Sequence, residues 1–167
     1  LFLVYPGVYT NDTIAYTANN QSVIGMDNST TQIVTSAAAT AVTVGAFTGC
    51  VLSRITVRQT GATGNLATIT VSTGSLNISD STLEMTNASS TTPPPVINIT
   101  GAGTVNVYGG FLNLTDPVAV GANVKRAITL GTGSSVNLKR TKITINTSGA
   151  SAGSTLAFGA ATGTIVL

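Results

Sequence analysis

The reading turns on nine short triplets: Ile69-Thr-Val71, Leu76-Asn-Ile78 and Leu83-Glu-Met85; Ile97-Asn-Ile99, Val105-Asn-Val107 and Leu112-Asn-Leu114; Ile128-Thr-Leu130, Val136-Asn-Leu138 and Ile143-Thr-Ile145. They form three lines of apolar-polar-apolar units in the same order. A fourth line begins at Leu156-Ala-Phe158 and stops at Ile165-Val-Leu167. The leading residue (Ile69, Ile97, Ile128, then Leu156) returns after 28, 31 and 28 positions. Self-similarity at that period marks a solenoid. Alternation with period two marks strands, so each repeat reads as three short strands joined by three corners. One coil cannot bury its apolar positions alone, whereas stacked coils share one interior. The expected fold is all-β, a parallel β-helix of about five to six coils. It fills a single domain over residues 1–167, with less regular first coils over 1–66 and regular coils over 67–167.

Outward from the repeats, the pattern loosens but persists. Leu1 to Tyr5 reads as a strand stopped by the turn signal Pro6-Gly7, and Val8 to Tyr16 as a second extended piece. Ser22-Val-Ile-Gly-Met26 and Thr31-Gln-Ile-Val-Thr35 follow, separated by the polar cluster Asp27-Asn28-Ser29. Ala37-Ala38-Ala39 invites a helix, yet no amphipathic period develops around it. Val42-Thr-Val44 resumes the triplets, and Ile55-Thr-Val57 supplies another inward pair. Between them, alternation leaves open whether Cys50 or Val51 faces inward.

Composition sets bounds on function. The chain is 43% hydrophobic but only 7% charged, with seven basic and five acidic residues and a net charge of +2. Ample Val, Ile and Leu exclude a disordered chain. Ordinary domains carry roughly a quarter charged residues, and a surface so poor in charge favours association. Lone Cys50 excludes an intrachain disulfide, and neither Cys nor His clusters exist for zinc. No cofactor is expected, and no apolar run is long enough for membrane insertion. The chain starts inside a strand-like run without an initiator Met, which leads us to expect a fragment of a longer polypeptide.

The corners differ in regularity. From the second to the third triplet the step is always five positions (Ile78 to Leu83, Val107 to Leu112, Leu138 to Ile143). From the third triplet to the next coil it varies over 12, 14 and 11 positions (Met85 to Ile97, Leu114 to Ile128, Ile145 to Leu156). Stacking constrains the first kind, whereas the second tolerates insertion and suits binding loops. Thr91-Thr-Pro-Pro-Pro95, Asp116-Pro117 and Ser148 to Gly153 fall on that variable side, the triple proline as a stiff loop leaving the coil. Asn77, Asn106 and Asn137 share the middle of the second triplet, so alternation stacks them on the outer face, where amides can bond along the axis.

The opening Leu3-Val-Tyr-Pro-Gly-Val-Tyr9, then Ser22-Val-Ile-Gly25 and Thr31-Gln-Ile33, resembles the first coils of the pectin-lyase-like superfamily of right-handed parallel β-helices. That superfamily includes pectate lyases, polygalacturonases, pectin methylesterases, phage tailspikes and surface proteins of large DNA viruses and bacteria, so the resemblance implies architecture rather than activity. Its enzyme branches imply residues this chain lacks. Inverting hydrolysis needs two carboxyls held ~6.5–9.5 Å apart, but Asp12, Asp27, Asp80, Glu84 and Asp116 are scattered. Only Asp80 and Glu84 share a coil face, as an exposed solvated pair. A lyase calcium needs several carboxylate oxygens. The esterase motifs Gln-Asp and Gly-Arg-Pro-Trp are absent, as is any His for a nucleophile's base.

The remaining candidates are basic. Lys139, Arg140 and Lys142 lie at one constant corner, and Arg54 precedes the third triplet one or two coils earlier; together they are candidates for contact with an acidic glycan or other anion. Seven basic residues make no dense stripe, and stacking aromatics look missing nearby, so nucleic acid is not expected as a partner. Asn-x-Ser/Thr sequons occur at Asn11, Asn20, Asn28, Asn77, Asn87, Asn98, Asn113 and Asn146; Asn87 and Asn146 look loop-borne and open to N-glycosylation.

No catalytic or metal-binding residue is assigned. The expected function is structural: a β-helical segment of a spike or fibre on a virion or in another extracellular setting. Among members of the superfamily the chain looks most like viral or phage spikes, often homotrimeric, with a host glycan as a possible contact. The alternatives are a carbohydrate-binding or polysaccharide-degrading module whose active residues lie elsewhere, and a bacterial adhesin passenger.

Overall fold

Period-two alternation with little Pro or Gly inside the triplets specifies strands, and in the computed structural model of the chain every regular element among the described residues is a strand. It describes residues 1–36, 39–62, 66–87, 94–116, 125–147, 155–160 and 163–167. In chain order the strands are β1 (Phe2–Val4), β2 (Gly7–Thr10), β3 (Ile14–Tyr16), β4 (Ser22–Gly25), β5 (Thr31–Thr35), β6 (Val42–Val44), β7 (Cys50–Ser53), β8 (Thr56–Ala62) and β9 (Ile69–Val71). Then come β10 (Ser75–Asn87), β11 (Ile97–Ile99), β12 (Thr104–Asp116), β13 (Lys125–Leu130), β14 (Ser135–Lys139), β15 (Lys142–Thr147), β16 (Thr155–Ala160) and β17 (Thr164–Val166).

Every pairing is parallel and joins a strand to its counterpart one coil on, which makes the fold a parallel β-helix with three faces. The first face stacks β1-β4-β7-β10-β12-β14-β17. The second stacks β2-β5-β8-β10-β12-β15, and the third β3-β6-β9-β11-β13-β16. Among the described residues the first face holds seven rungs and each of the others six, set against the five to six coils expected. Strands β10 and β12 run through the constant corner unbroken and belong to two faces at once. The expected three-strand coil therefore becomes, in the middle of the solenoid, one long bent strand and one short one.

Inward residues stack in columns. Cys50, Leu76, Val105 and Val136 form one, Val57, Leu83 and Leu112 another, and Val42, Ile69, Ile97 and Ile128 a third, all fully buried. Removing branched aliphatics from water is worth roughly 1.5–3 kcal/mol per side chain, and the columns extend that gain along the axis. The choice at Cys50 and Val51 falls to Cys50, which packs inward while Val51 is half-buried.

Three register details differ from the expected repeat. The triplet in line with Leu83-Glu-Met85 is Val57-Arg-Gln59, two residues beyond Ile55-Thr-Val57, whose Ile55 and Val57 are both buried as an inward pair. Gln59 thus occupies an inward position; its Nε2 donates to the Ser36 carbonyl at 2.8 Å, while its Oε1 has no partner among the described residues. In the last coil Phe158, not Leu156, lies opposite Ile128. Finally, Val8 to Tyr16 divides into β2 and β3 around Asn11, whose φ is 61°.

Of the variable corners, Thr91 to Pro93, Pro117 and Ser148 to Gly153 lie outside the described residues, as do Ala37 and Ala38. Pro94 and Pro95 are buried, so the end of the triple proline lies against the coil instead of leaving it. Rigid rings that lose no rotamer freedom make this close approach inexpensive.

Candidate functional site

The constant corner owes its fixed length to a left-handed backbone position repeated along the axis. Arg54 (φ 50°), Asp80 (φ 48°), Gly109 (φ 75°) and Arg140 (φ 53°) follow one another from rung to rung. A single such residue redirects the strand onto the next face while the hydrogen-bond ladder continues on both sides, as in Arg54 N–H to Ser79 O (3.0 Å) and Thr82 N–H to Ile55 O (3.1 Å). For a residue with a Cβ this conformation costs roughly 1–2 kcal/mol. Only at 109–110 does glycine relieve it. A Cβ on Gly110 would lie 2.0 Å from the Ser81 carbonyl oxygen.

This column shows which basic residues share a place. Lys139 pairs in register with Tyr108, and Lys142 with Phe111; Arg140 lies under Gly109. Arg54 stands three rungs away at the same corner, about 14 Å at the ~4.8 Å inter-strand spacing, so it does not join them. The Asp27-Asn-Ser29 turn folds over Arg54's end of the column. Asn28 Nδ2 donates to the Asp80 carbonyl (3.1 Å), and Thr56 Oγ1 donates to the Asn28 carbonyl (2.6 Å). The Asp27 carboxyl is held below its ordinary pKa, first by the Ser29 hydroxyl and least by the charge of Arg54.

The aromatics that the sequence seemed to lack near the cations are present. Tyr108 and Phe111 are 42% and 44% exposed, on the two flanks of Gly109-Gly110 and one rung from Lys139 and Lys142. In the sequence they were legible as bulky residues in outward positions of an otherwise Thr/Ser/Asn-rich exterior. At the last described rung, and not lined by either ring, a hollow of about 410 Å³ opens against Leu138, Arg140, Thr141, Lys142, Ile143 and Leu167.

On the first face Asn77, Asn106 and Asn137 are aligned in register and bonded. Asn106 Nδ2 donates to Asn77 Oδ1 (2.8 Å), Asn137 Nδ2 to Asn106 Oδ1 (2.6 Å), and Asn77 Nδ2 reaches the Cys50 carbonyl at 3.5 Å. Glu84 does not form a solvated pair with Asp80. It is bridged by Arg58, directly opposite it on the previous rung, while Asp80 is turned round the corner with its Oδ1 over Gly109. Asn146 is exposed but lies in β15 rather than a loop; Asn87 ends β10, and its side chain lies outside the described residues.

Burial shapes two further titratable groups. The Tyr16 phenol donates to the Val51 carbonyl (2.6 Å), and its pKa is pushed far above that of a free phenol by burial and then by nearby Cys50. Burial likewise raises the Cys50 thiol, which is a poor nucleophile in that state. Among the described residues no three or more of Cys, Asp and Glu gather around a point where a metal ion would fit. No protein-family model, curated protein or solved structure matches this chain.

Proposed function

We propose that the chain is a structural shaft segment of a spike or fibre displayed on a virion or cell surface, related in architecture to the pectin-lyase-like spikes it resembles. The observation that carries this reading is the unbroken axial stack: parallel rungs on three faces, apolar columns inside and an asparagine ladder outside. Such a rod resists bending through backbone bonds and buries its core in proportion to its length. The exterior favours neighbours over dilution. It carries few charges, and the first coils leave Leu3, Tyr5, Val8 and Met26 exposed. Close self-association, in threes as in many spikes, gives that surface a partner. Sedimentation equilibrium of the purified chain tests this. A species near three times 16.7 kDa is expected, and a monomer at every concentration overturns the trimeric shaft.

A second reading, a carbohydrate-binding module, is favoured by the exposed rings beside the cations at the corner. Depolymerisation of any acidic or neutral polysaccharide by the chain would replace the structural reading with an enzymatic one.

A further inference from the structure

Charge is confined to one side of the solenoid. Asp27, Arg54, Asp80, Lys139, Arg140 and Lys142 lie at or beside the corner between the first and second faces. Arg58 and Glu84 lie on the second face itself, and Asp12, Asp116, Lys125 and Arg126 where the chain passes from the second face to the third. These are all seven basic and all five acidic residues of the chain. What remains is a continuous uncharged wedge: the third face, the corner joining it to the first, and the first face as far as its asparagine ladder. The tips of that corner, Ala46, Thr73, Ala102 and Thr132, are exposed and small.

We infer that this wedge is the surface through which copies of the chain associate, the first face of one copy lying against the third face of the next and the second faces turned outward. A side of the rod that faces water gains solubility from charge, whereas depletion of charge marks the core of an interface, because stripping water from an unpaired ion is costly. A second copy fits the wedge along its whole length. Thr43, Thr70, Asn98 and Thr129 form a straight outward column on the third face, and Val51, Asn77, Asn106 and Asn137 one on the first. Both rise by the same ~4.8 Å per rung, so two copies stay in step from rung to rung. Contact between unlike faces is heterologous and closes into a ring, and small corner tips let the backbones approach its axis. The strip from Thr70 to Asn77 is roughly 20 Å wide at ~3.3 Å per residue, and six rungs of it offer roughly 600 Å² per copy. Stable partners each bury about 800 Å², so a pair touching through one face falls well short, whereas a ring engages both faces of every copy.

This inference rests on the shaft reading for the number of copies and adds the surface they use. The test is sedimentation equilibrium of the full chain and of single lysine variants, with far-UV circular dichroism to confirm that each variant folds. Thr70→Lys on the third face and Val51→Lys on the first place a charge inside the contact, and each should weaken assembly roughly tenfold or more. Thr82→Lys on the second face should leave it within about twofold. A second measurement introduces no charge. Thr73→Cys, close to the axis, should yield a disulfide-linked pair within the assembly under mild oxidation, because its Cα atoms come within the ~7 Å that a disulfide spans; Thr82→Cys should not. Buried Cys50 offers no such link in the native chain. A trimer that Thr82→Lys disrupts while Thr70→Lys and Val51→Lys spare it overturns this inference and leaves the shaft standing, as does crosslinking through Thr82→Cys in place of Thr73→Cys. A monomer at every concentration overturns the trimeric shaft and this inference together, and a species of two copies overturns the ring.

Discussion

Replacing Asn106 by alanine removes the middle amide of the outer ladder and with it two hydrogen bonds, one donated to Asn77 Oδ1 at 2.8 Å and one accepted from Asn137 Nδ2 at 2.6 Å. Replacing Asn137 removes only the second. A net protein hydrogen bond is worth roughly 0.5–1.5 kcal/mol, so Asn106→Ala should cost ~2 kcal/mol and Asn137→Ala ~1 kcal/mol. Neither alanine nor asparagine favours strands, so propensity adds little to the difference. For a chain of this length 1 kcal/mol moves the melting temperature by roughly 2–4 °C, giving expected drops of ~4–8 °C and ~2–4 °C. Far-UV circular dichroism during thermal and urea unfolding reads both. A double-mutant cycle between Asn77 and Asn106 should give a coupling of about 1 kcal/mol. If Asn106→Ala costs no more than Asn137→Ala, or the cycle shows no coupling, the ladder is a consequence of stacking and not a contributor to it.

Gly110→Ala places a Cβ 2.0 Å from the Ser81 carbonyl at φ 93°, and should cost more than ~2 kcal/mol in urea unfolding; Gly109→Ala meets only the movable Asp80 carboxylate at 2.9 Å and should cost ~1–2 kcal/mol. Gln59→Met fills the same inward position that Met85 holds one coil later and removes a buried, unpartnered oxygen, leaving the exposed Ser36 carbonyl to water. It should raise stability by ~1 kcal/mol in the same assay. The Tyr16 phenol is raised in the folded state, so the unfolded chain loses that proton first. Stability is intact below the ordinary phenol pKa near 10 and falls as pH rises above it. Urea midpoints measured from neutral pH upward should decline more steeply in the native chain than in Tyr16→Phe; parallel declines refute the coupling.

The solenoid itself was legible because its signal is redundant. Alternation sorts Leu76, Ile78, Leu83 and Met85 inward, and the same alternation a repeat later sorts Val105, Val107, Leu112 and Leu114. The column of Asn77, Asn106 and Asn137 follows from the repeat length alone. The five-position step of the constant corner was visible as well, but not its cause, since arginine ordinarily avoids the positive φ that Arg54 and Arg140 adopt, and only Asp80 belongs to a residue type that visits it readily.

Residue alternation alone therefore dictates which residues point inward and how often the coil returns. Which residues become neighbours was decided only in the tertiary structure. Alternation has period two, and a shift of two residues leaves every apolar side chain on its own face. The pattern cannot separate Leu156 from Phe158 opposite Ile128, or Ile55-Thr-Val57 from Val57-Arg-Gln59 opposite Leu83-Glu-Met85. Rung-to-rung backbone hydrogen bonding removes that freedom. It brings residues some thirty positions apart to within about 5 Å, and so sets Lys139 under Tyr108, Lys142 under Phe111, and Arg54 three rungs away.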